Sequence, residues 1–292
     1  MTKKLAVVVV TFNRLDWLNK NLKSLLNQTK KIDKIYIIDN CSTDETPEFL
    51  KRTTFNYKNI VSVSLDKNYG GAGGFYYGLK KAYEDGNEWI CLMDDDCILE
   101  SDCIEKMFKH MNNKKNAYIP LELDIETRSK ILLEVKYDKE NNLLNYLELG
   151  PFNAFTVHRD LINKIGFPEK EYFIYGDDDE YSLRIRKNGG KIRLIKDAIL
   201  YHPNKVSKAL KKIGKIKYTD ALLSPLRAYY CTRNSVLNNK KYGEMYKGIS
   251  IVNLMKNMFK YLLIMEFKLI KLTFNGYLDG ILGKKISKGP IK

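Results

Sequence analysis

Two clusters of carboxylates and one histidine carry the chemistry open to this chain. Asp94, Asp95 and Asp96 follow five apolar or near-apolar residues, Trp89 to Met93. Three adjacent carboxylates repel one another by roughly a few kcal/mol unless a cation sits among them. Hard divalent cations such as Mg²⁺ and Mn²⁺ take oxygen ligands of this kind and bring phosphates with them. The plain alternative is a solvated acidic turn. Asp102 and Glu105 have the spacing of a capping box for the following helix, so that cap draws on none of the three. The second cluster, Asp177, Asp178, Asp179 and Glu180, follows the aromatic stretch EYFIYG. Acids favour a helix N-terminus because of its dipole, yet four in a row exceed what capping needs. His202, in YHP, lies past a strand-like run and downstream of both clusters, which makes it a candidate ligand.

Two further features suit a nucleotide. Asp39 closes the run KIYIID, where a carboxylate can accept from a ribose or a base edge. Glycines within 70–74, in NYGGAGGF, let backbone approach a ligand and set a helix N-terminus near phosphate. The run is neither GxGxxG nor GxxxxGK[ST], so dinucleotide and P-loop readings are weak, and a tight turn before a helix explains the glycines equally well.

The elements that must position these groups alternate strictly. Leu5–Val10 is a β-branched strand that delivers TFNR, and a helix follows with Leu15, Leu18, Leu22, Leu25 and Leu26 at helical spacing and Asn13 as its cap. Lys34–Ile38 is a second strand, and Ser42 with Glu45 caps the next helix. Ile60–Leu65 alternates as a third strand, and Trp89–Met93 is a buried fourth. This order predicts a right-handed parallel sheet covered on both faces, with ligands beyond its carboxyl ends. Shorter strands are expected at 117–119, 131–135, 152–157 and 191–200, with a helix near 161–165.

Length and charge bound the rest. The 292 residues suffice for one main domain with an extension, and the net charge of +15 asks for an anionic partner or surface. The five cysteines form no CxxC pair, and reduced thiols in a cytosolic protein fit best. The N-terminal MTKKLAVVVV reads as a strand rather than a signal peptide, and no run reaches the length of a membrane span. Six lysines within 205–217 predict a solvated, mobile loop. Beyond it, Glu244–Phe274 mixes large apolar residues with Lys247, Lys256, Lys260, Lys268 and Lys271, as helices do that lie along a membrane interface or pack on a domain.

In order along the chain, TFNR, IIDNCSTDET, NYGGAGGF, MDDDCIL, GDDDEYSLR and YHP resemble family 2 glycosyltransferases of the GT-A fold, nearest the galactofuranosyltransferase and rhamnosyltransferase-like branch. The resemblance covers roughly residues 4–240. It implies an α/β fold, a Rossmann-like, mostly parallel sheet flanked by helices, with a C-terminal helical extension. The expected division is 1–204 catalytic, 205–223 basic loop and 224–292 helical. The implied activity is inverting transfer of a sugar, galactofuranose from UDP-galactofuranose before rhamnose from dTDP-rhamnose, onto a hydroxyl of a growing glycan. The lysine run with the C-terminal helices suits an acceptor on a lipid diphosphate at the inner face of the cell membrane. By the same resemblance Asp94, Asp96 and His202 hold a divalent metal, Mn²⁺ or Mg²⁺. Thr11, Phe12, Arg14, Asp39, Asn68, Asp94 and Asp95 bind the donor, and Asp178 is the base, with the register open within Asp177–Asp179. One departure stands out: the family base is often preceded by Trp, where this chain has Gly176. Outside glycosyl transfer, a two-metal nucleotidyltransferase lacks a P-loop, and a nucleic-acid-binding module rests on charge alone. No nucleic-acid partner is expected.

Overall fold

The computed structural model describes residues 4–131, 135–136, 145–203, 208–213, 216–221 and 224–284. The chain divides into two units, one of Met1–Lys170 with Asp178–Asn204, the other of Glu171–Asp177 with Lys205–Lys292.

In the first unit β1 (Leu5–Thr11), α1 (Leu15–Leu26), β2 (Lys34–Asp39), α2 (Thr46–Asn56), β3 (Ile60–Ser64), α3 (Gly70–Glu84) and β4 (Trp89–Asp94) alternate as the apolar periodicity predicts. β1 is buried along its whole length and pairs in parallel with β2 and β4, while β2 pairs in parallel with β3. Successive side chains of a strand face opposite ways. Leu5, Val7 and Val9, with Trp89, Cys91 and Met93, therefore meet α1, whereas Ala6, Val8 and Val10 meet Phe75 and Leu79 of α3.

The chain continues through β5 (Ile98–Leu99), α4 (Cys103–His110), β6 (Ala117–Asp124), β7 (Val135–Lys136), β8 (Asn145–Leu147), β9 (Asn153–His158), α5 (Arg159–Ile165), α6 (Asp177–Lys187) and β10 (Ile192–His202). The sheet runs β3-β2-β1-β4-β9-β6-β10-β8-β7, with β5 also on β10. β1 to β4 are parallel as expected, and beyond β4 the sheet becomes mixed. β9 enters antiparallel to both β4 and β6, and β8 is antiparallel to β10. Parallel neighbours need a crossover, and among the described residues no helix lies between β6 and β9. Most of the strand expected over 131–135 lies outside the described residues.

None of the three expected caps forms. The N-cap positions of α1, α2 and α4 fall on Arg14, Glu45 and Asp102, and none makes a side-chain capping bond. Asn13 and Ser42 instead bond across two loops: Asn13 N donates to Ser42 Oγ at 2.9 Å, and Thr43 N to Asn13 Oδ1 at 2.7 Å. Asp102 pairs with Lys106 at 2.9 Å. In each case a partner outside the cap captured the side chain.

The second unit carries β11 (Lys208–Ile213) and β12 (Ile216–Ala221), then α7 (Pro225–Tyr242), α8 (Ile251–Leu263) and α9 (Phe267–Leu282). The lysine-rich stretch expected as a loop thus holds an antiparallel pair, in which Lys208–Ile213 runs against Ile216–Ala221. Lys205 and Lys215 lie outside the described residues. Ser224 and Pro225 open α7, the serine accepting from Arg227 N. α9 lies close on α7, because a Cβ at Gly276 or Gly280 would reach within 2.4 Å of Tyr229 O or 2.9 Å of Arg233 O. Among the described residues no helix is long and apolar enough to cross a membrane.

Candidate active site at the strand ends

β1, β2 and β4 run side by side and end at Thr11, Asp39 and Asp94, so the segments that follow all leave from one edge of the sheet. The turn after β4 is pinned from α1. Asn21, fully buried, donates from Nδ2 to Cys97 O at 2.7 Å and to Asp94 O at 3.4 Å. Sequence reasoning passed over Asn21, although a lone Asn on the Leu18–Leu22–Leu25 stripe was the signal.

Asp95 and Asp96 take different surroundings. Thr11 Oγ1 donates to Asp95 Oδ2 at 2.7 Å, and Arg14 Nη1 lies 3.0 Å from Asp95 Oδ1. Burial pushes Asp95 up to about 6 against the pull of Arg14 and Thr11. Arg14 Nη2 reaches Asp96 Oδ2 at 2.5 Å. Burial opposes ionisation of Asp96 too, but His202 and Arg14 outweigh it and hold the carboxyl below its ordinary range. His202 Nε2 lies 3.2 Å from Asp96 Oδ1, and its Nδ1 lies 3.2 Å from Glu122 Oε1. Against burial, those two carboxylates push the imidazole up to about 10. Glu122 is 5% exposed and also accepts from Asn153 Nδ2 at 3.1 Å. Sequence reasoning missed Glu122, whose position in β6 gave no local signal.

The fit of a divalent ion rests on Asp96 Oδ1. This oxygen is buried and accepts no hydrogen bond of good geometry, although His202 Nε2 is 3.2 Å away. Two neighbouring ligands at about 2.1 Å from an octahedral ion lie about 3.0 Å apart, so this pair has the spacing of two donors on one ion. Glu122 on the opposite imidazole nitrogen matches the carboxylate that commonly orients a metal-bound histidine. Among the described residues no three His, Cys, Asp or Glu side chains are grouped to hold an ion unaided. Mg²⁺ and Mn²⁺ sites often complete themselves with substrate phosphates, and these residues fit that kind of site.

Asp39 and Asn68 meet through a residue the sequence reading passed over. Asn40, buried beside Asp39, accepts from Tyr69 N at 2.9 Å and donates to Gly70 O at 2.7 Å. Asn68 Oδ1 accepts from Gly70 N at 2.7 Å, and Asp39 Oδ1 from Ser42 N at 2.9 Å. Gly70, at φ +72, is where the turn itself needs glycine. Gly74, further along the helix, serves packing: a Cβ there would come within 2.4 Å of Val10 Cγ1. Phe12 is exposed beside Thr11. An open depression of about 900 Å³ beside Arg14 is lined in part by Asp16, Asp44, Glu45 and Glu48, a poor environment for a diphosphate.

Asp178 comes from a separate element, the first turn of α6, where it is half-buried and its Oδ1 accepts from Asp179 N at 2.9 Å. Asp177 is 6% exposed, and Glu180 is fully buried against Arg184.

The strand order, with its acid turn meeting a histidine from a distant strand, is that of the GT-A glycosyltransferase fold. The glycosyl transferase family 2 model matches residues 6–165, more than half of the chain, and the chain belongs to that family. It is similar to galactofuranosyltransferase GlfT1 of Mycobacterium tuberculosis, 28% identical over 221 residues that cover 70% of this chain and 71% of the relative. It is also similar to dTDP-rhamnosyl transferase RfbF of Shigella flexneri, 25% identical over 252 residues that cover 82% and 81%. Among solved structures, GalNAc-T7 with UDP, GalNAc and Mn²⁺ superposes with a TM-score of 0.62 at 15% identity. That match covers 94% of this chain and 59% of the other.

Proposed function

We propose that this protein transfers a single sugar, with inversion, from a nucleotide-sugar donor to a hydroxyl of a lipid-diphosphate-linked glycan, with UDP-galactofuranose as the donor of first choice. The observation that carries the reading is the convergence of Arg14, Asp96 and His202 on one buried point beyond β4. The similarity to GlfT1 favours galactofuranose, and the similarity to RfbF keeps dTDP-rhamnose as the second reading.

Asp94, Asp96 and His202 would hold Mn²⁺ or Mg²⁺, which when bound supplies positive charge to the leaving nucleoside diphosphate. Glu122 orients the His202 ring through Nδ1. Asp95, engaged by Thr11 and Arg14, fixes the guanidinium where the donor's phosphates arrive. Asp39 and Asn68 take the nucleoside, and Phe12 offers it an apolar face. The base is Asp178, which accepts the proton of the acceptor hydroxyl as that oxygen attacks the anomeric carbon. The inner membrane face is the proposed workplace, where the exposed apolar residues of α8 and its lysines meet anionic lipid.

Thermal unfolding with UDP-galactofuranose or dTDP-rhamnose, each with Mn²⁺ or EDTA, tests the donor and the metal together. A donor at about 100 times its Kd stabilises the fold by about 2.7 kcal/mol. The expected result is a clear rise for UDP-galactofuranose with Mn²⁺, lost in EDTA and in Asp96→Ala, which itself stays folded but transfers nothing. A rise confined to dTDP-rhamnose selects the second reading. Transfer at an undiminished rate in EDTA removes the metal from the mechanism.

A further inference from the structure

The stretch Glu171–Gly176 has no regular structure beyond one short 3₁₀ turn, yet α7 donates to five of its six carbonyls. Arg233 Nη2 donates to Glu171 O at 2.6 Å. Asn234 Nδ2 serves three carbonyls, Tyr172 O at 2.9 Å, Ile174 O at 3.0 Å and Tyr175 O at 2.6 Å. An amide nitrogen carries two hydrogens, so at least one is shared between carbonyls. Asn238, one turn further along the same face of α7, donates to Gly176 O at 3.0 Å and accepts from Tyr172 Oη at 2.7 Å. Arg233 Nε donates to Asn234 Oδ1 at 2.9 Å, which fixes which end of that amide faces the carbonyls. Arg233, Asn234 and Asn238 are all fully buried.

The conformation held this way is one the sequence would not adopt freely. Phe173 and Tyr175 both sit at φ +64, and Gly176 at φ +77. Two bulky aromatic residues in the left-handed region are outliers that persist only where their surroundings over-determine them, and such strain gathers at functional sites. Phe173 stacks on Tyr230 with ring centroids 4.8 Å apart, which adds a further hold. At Gly176 a Cβ would meet Asn234 Cβ at 3.3 Å and Asn238 Nδ2 at 3.5 Å, besides opposing the positive φ. Glycine rather than a large side chain at this place follows from the two asparagines behind it.

We propose that Asn234 and Asn238 are positioning residues for the transfer step: they lock the strained segment Phe173–Gly176, from which the chain passes directly into Asp177–Asp178 at the start of α6. The carbonyl gripped by Asn238 belongs to Gly176, the residue next before Asp177. This inference rests on the reading of Asp178 as the base.

Asn234→Asp and Asn238→Asp keep shape and replace the donating amide by a carboxylate that repels the carbonyls. Each is compared with the native protein and with Asp178→Asn by hydrogen–deuterium exchange of peptides over 171–180, by UDP affinity in Mn²⁺, and by transfer from UDP-galactofuranose to an alkyl glycoside. The expected result is exchange at least tenfold faster over 173–178, kcat at least tenfold lower, and UDP affinity within twofold of native. Unchanged exchange overturns the proposal, as does native kcat despite faster exchange, or UDP affinity that falls in step with kcat. If Asn234→Asp does not fold, Asn238→Asp carries the test, since it keeps the acceptor for Tyr172 Oη. Failure of the base assignment shows separately, as a native rate in Asp178→Asn, and leaves the exchange result standing.

Discussion

At the scale of single residues, the four acids that open α6 separate by their surroundings. Glu180 is fully buried and ion-paired with Arg184, whose Nη1 also donates to Ile165 O at 2.9 Å and Phe167 O at 2.8 Å. Asp177 is buried, while Asp178 and Asp179 are half-buried. A general base contributes on the order of 100- to 10,000-fold. Asp178→Asn is therefore expected to lower kcat by about 100-fold or more with donor affinity unchanged, because the base acts only on the acceptor in the transition state. Glu180→Gln is expected to cost stability instead, about 1–3 kcal/mol, by taking from Arg184 the nearer of its two counter-charges and leaving it Glu169 at 4.0 Å. Steady-state kinetics beside urea unfolding checks both. A larger kinetic loss in Asp179→Asn would shift the base by one position.

At the scale of elements, α3 shows how closely a helix can lie on the central strands. A Cβ at Gly78 would meet Val8 Cγ1 at 2.3 Å and Ile38 Cγ1 at 2.8 Å, whereas one at Gly71 meets nothing within 4 Å. Val8 and Ile38 are fully buried and β-branched, so neither has a free rotamer to retreat into. Alanine gains about 1 kcal/mol over glycine in a helix, and overpacking a core costs about 1–3 kcal/mol. Gly78→Ala is thus expected to destabilise the fold by about 1 kcal/mol despite its better helix propensity, and Gly71→Ala to be neutral or stabilising. The midpoints of urea unfolding distinguish them, and equal midpoints would mean that α3 shifts outward at little cost.

For the whole molecule, the net charge of +15 coincides with an uncovered apolar face. On α8, Ile251, Val252, Met255, Phe259, Leu262 and Leu263 are all exposed, with Met255 66% and Phe259 62% open, and Lys256 and Lys260 lie among them. Each lysine near anionic lipid contributes about 1 kcal/mol, and the apolar residues would sink into the headgroup boundary. Co-sedimentation should show binding to vesicles containing phosphatidylglycerol but not to phosphatidylcholine alone. Binding should weaken as salt shortens the screening length from about 10 Å at 0.1 M to about 3 Å at 1 M. Phe259→Asp should abolish it without altering UDP affinity. Equal binding to both vesicles, or none to either, leaves the face to a protein partner.

The amino-acid sequence by itself determined the alternating elements from β1 to β4. VVVV, YIID and WICLM are short apolar, largely β-branched or aromatic runs of strand length, and the helices between them allow parallel pairing. It also singled out the candidate site residues, because Asp39, Asp94–Asp96 and His202 each close or follow a strand-like run. The tertiary structure alone decided which partner each side chain takes. Asn13, Ser42 and Asp102 have the types and spacing of caps, but other partners were in reach and took them. Arg14 and Asp96 are 82 residues apart in the chain, Asn234 and Tyr175 are 59, and no periodicity relates either pair. Glu122 stands beside His202 because β6 and β10 pair in parallel with a register shift between Ile195 and Ile199. Periodicity is a property of neighbours along the chain, whereas a buried polar group finds its partner across the fold, after packing has set the register.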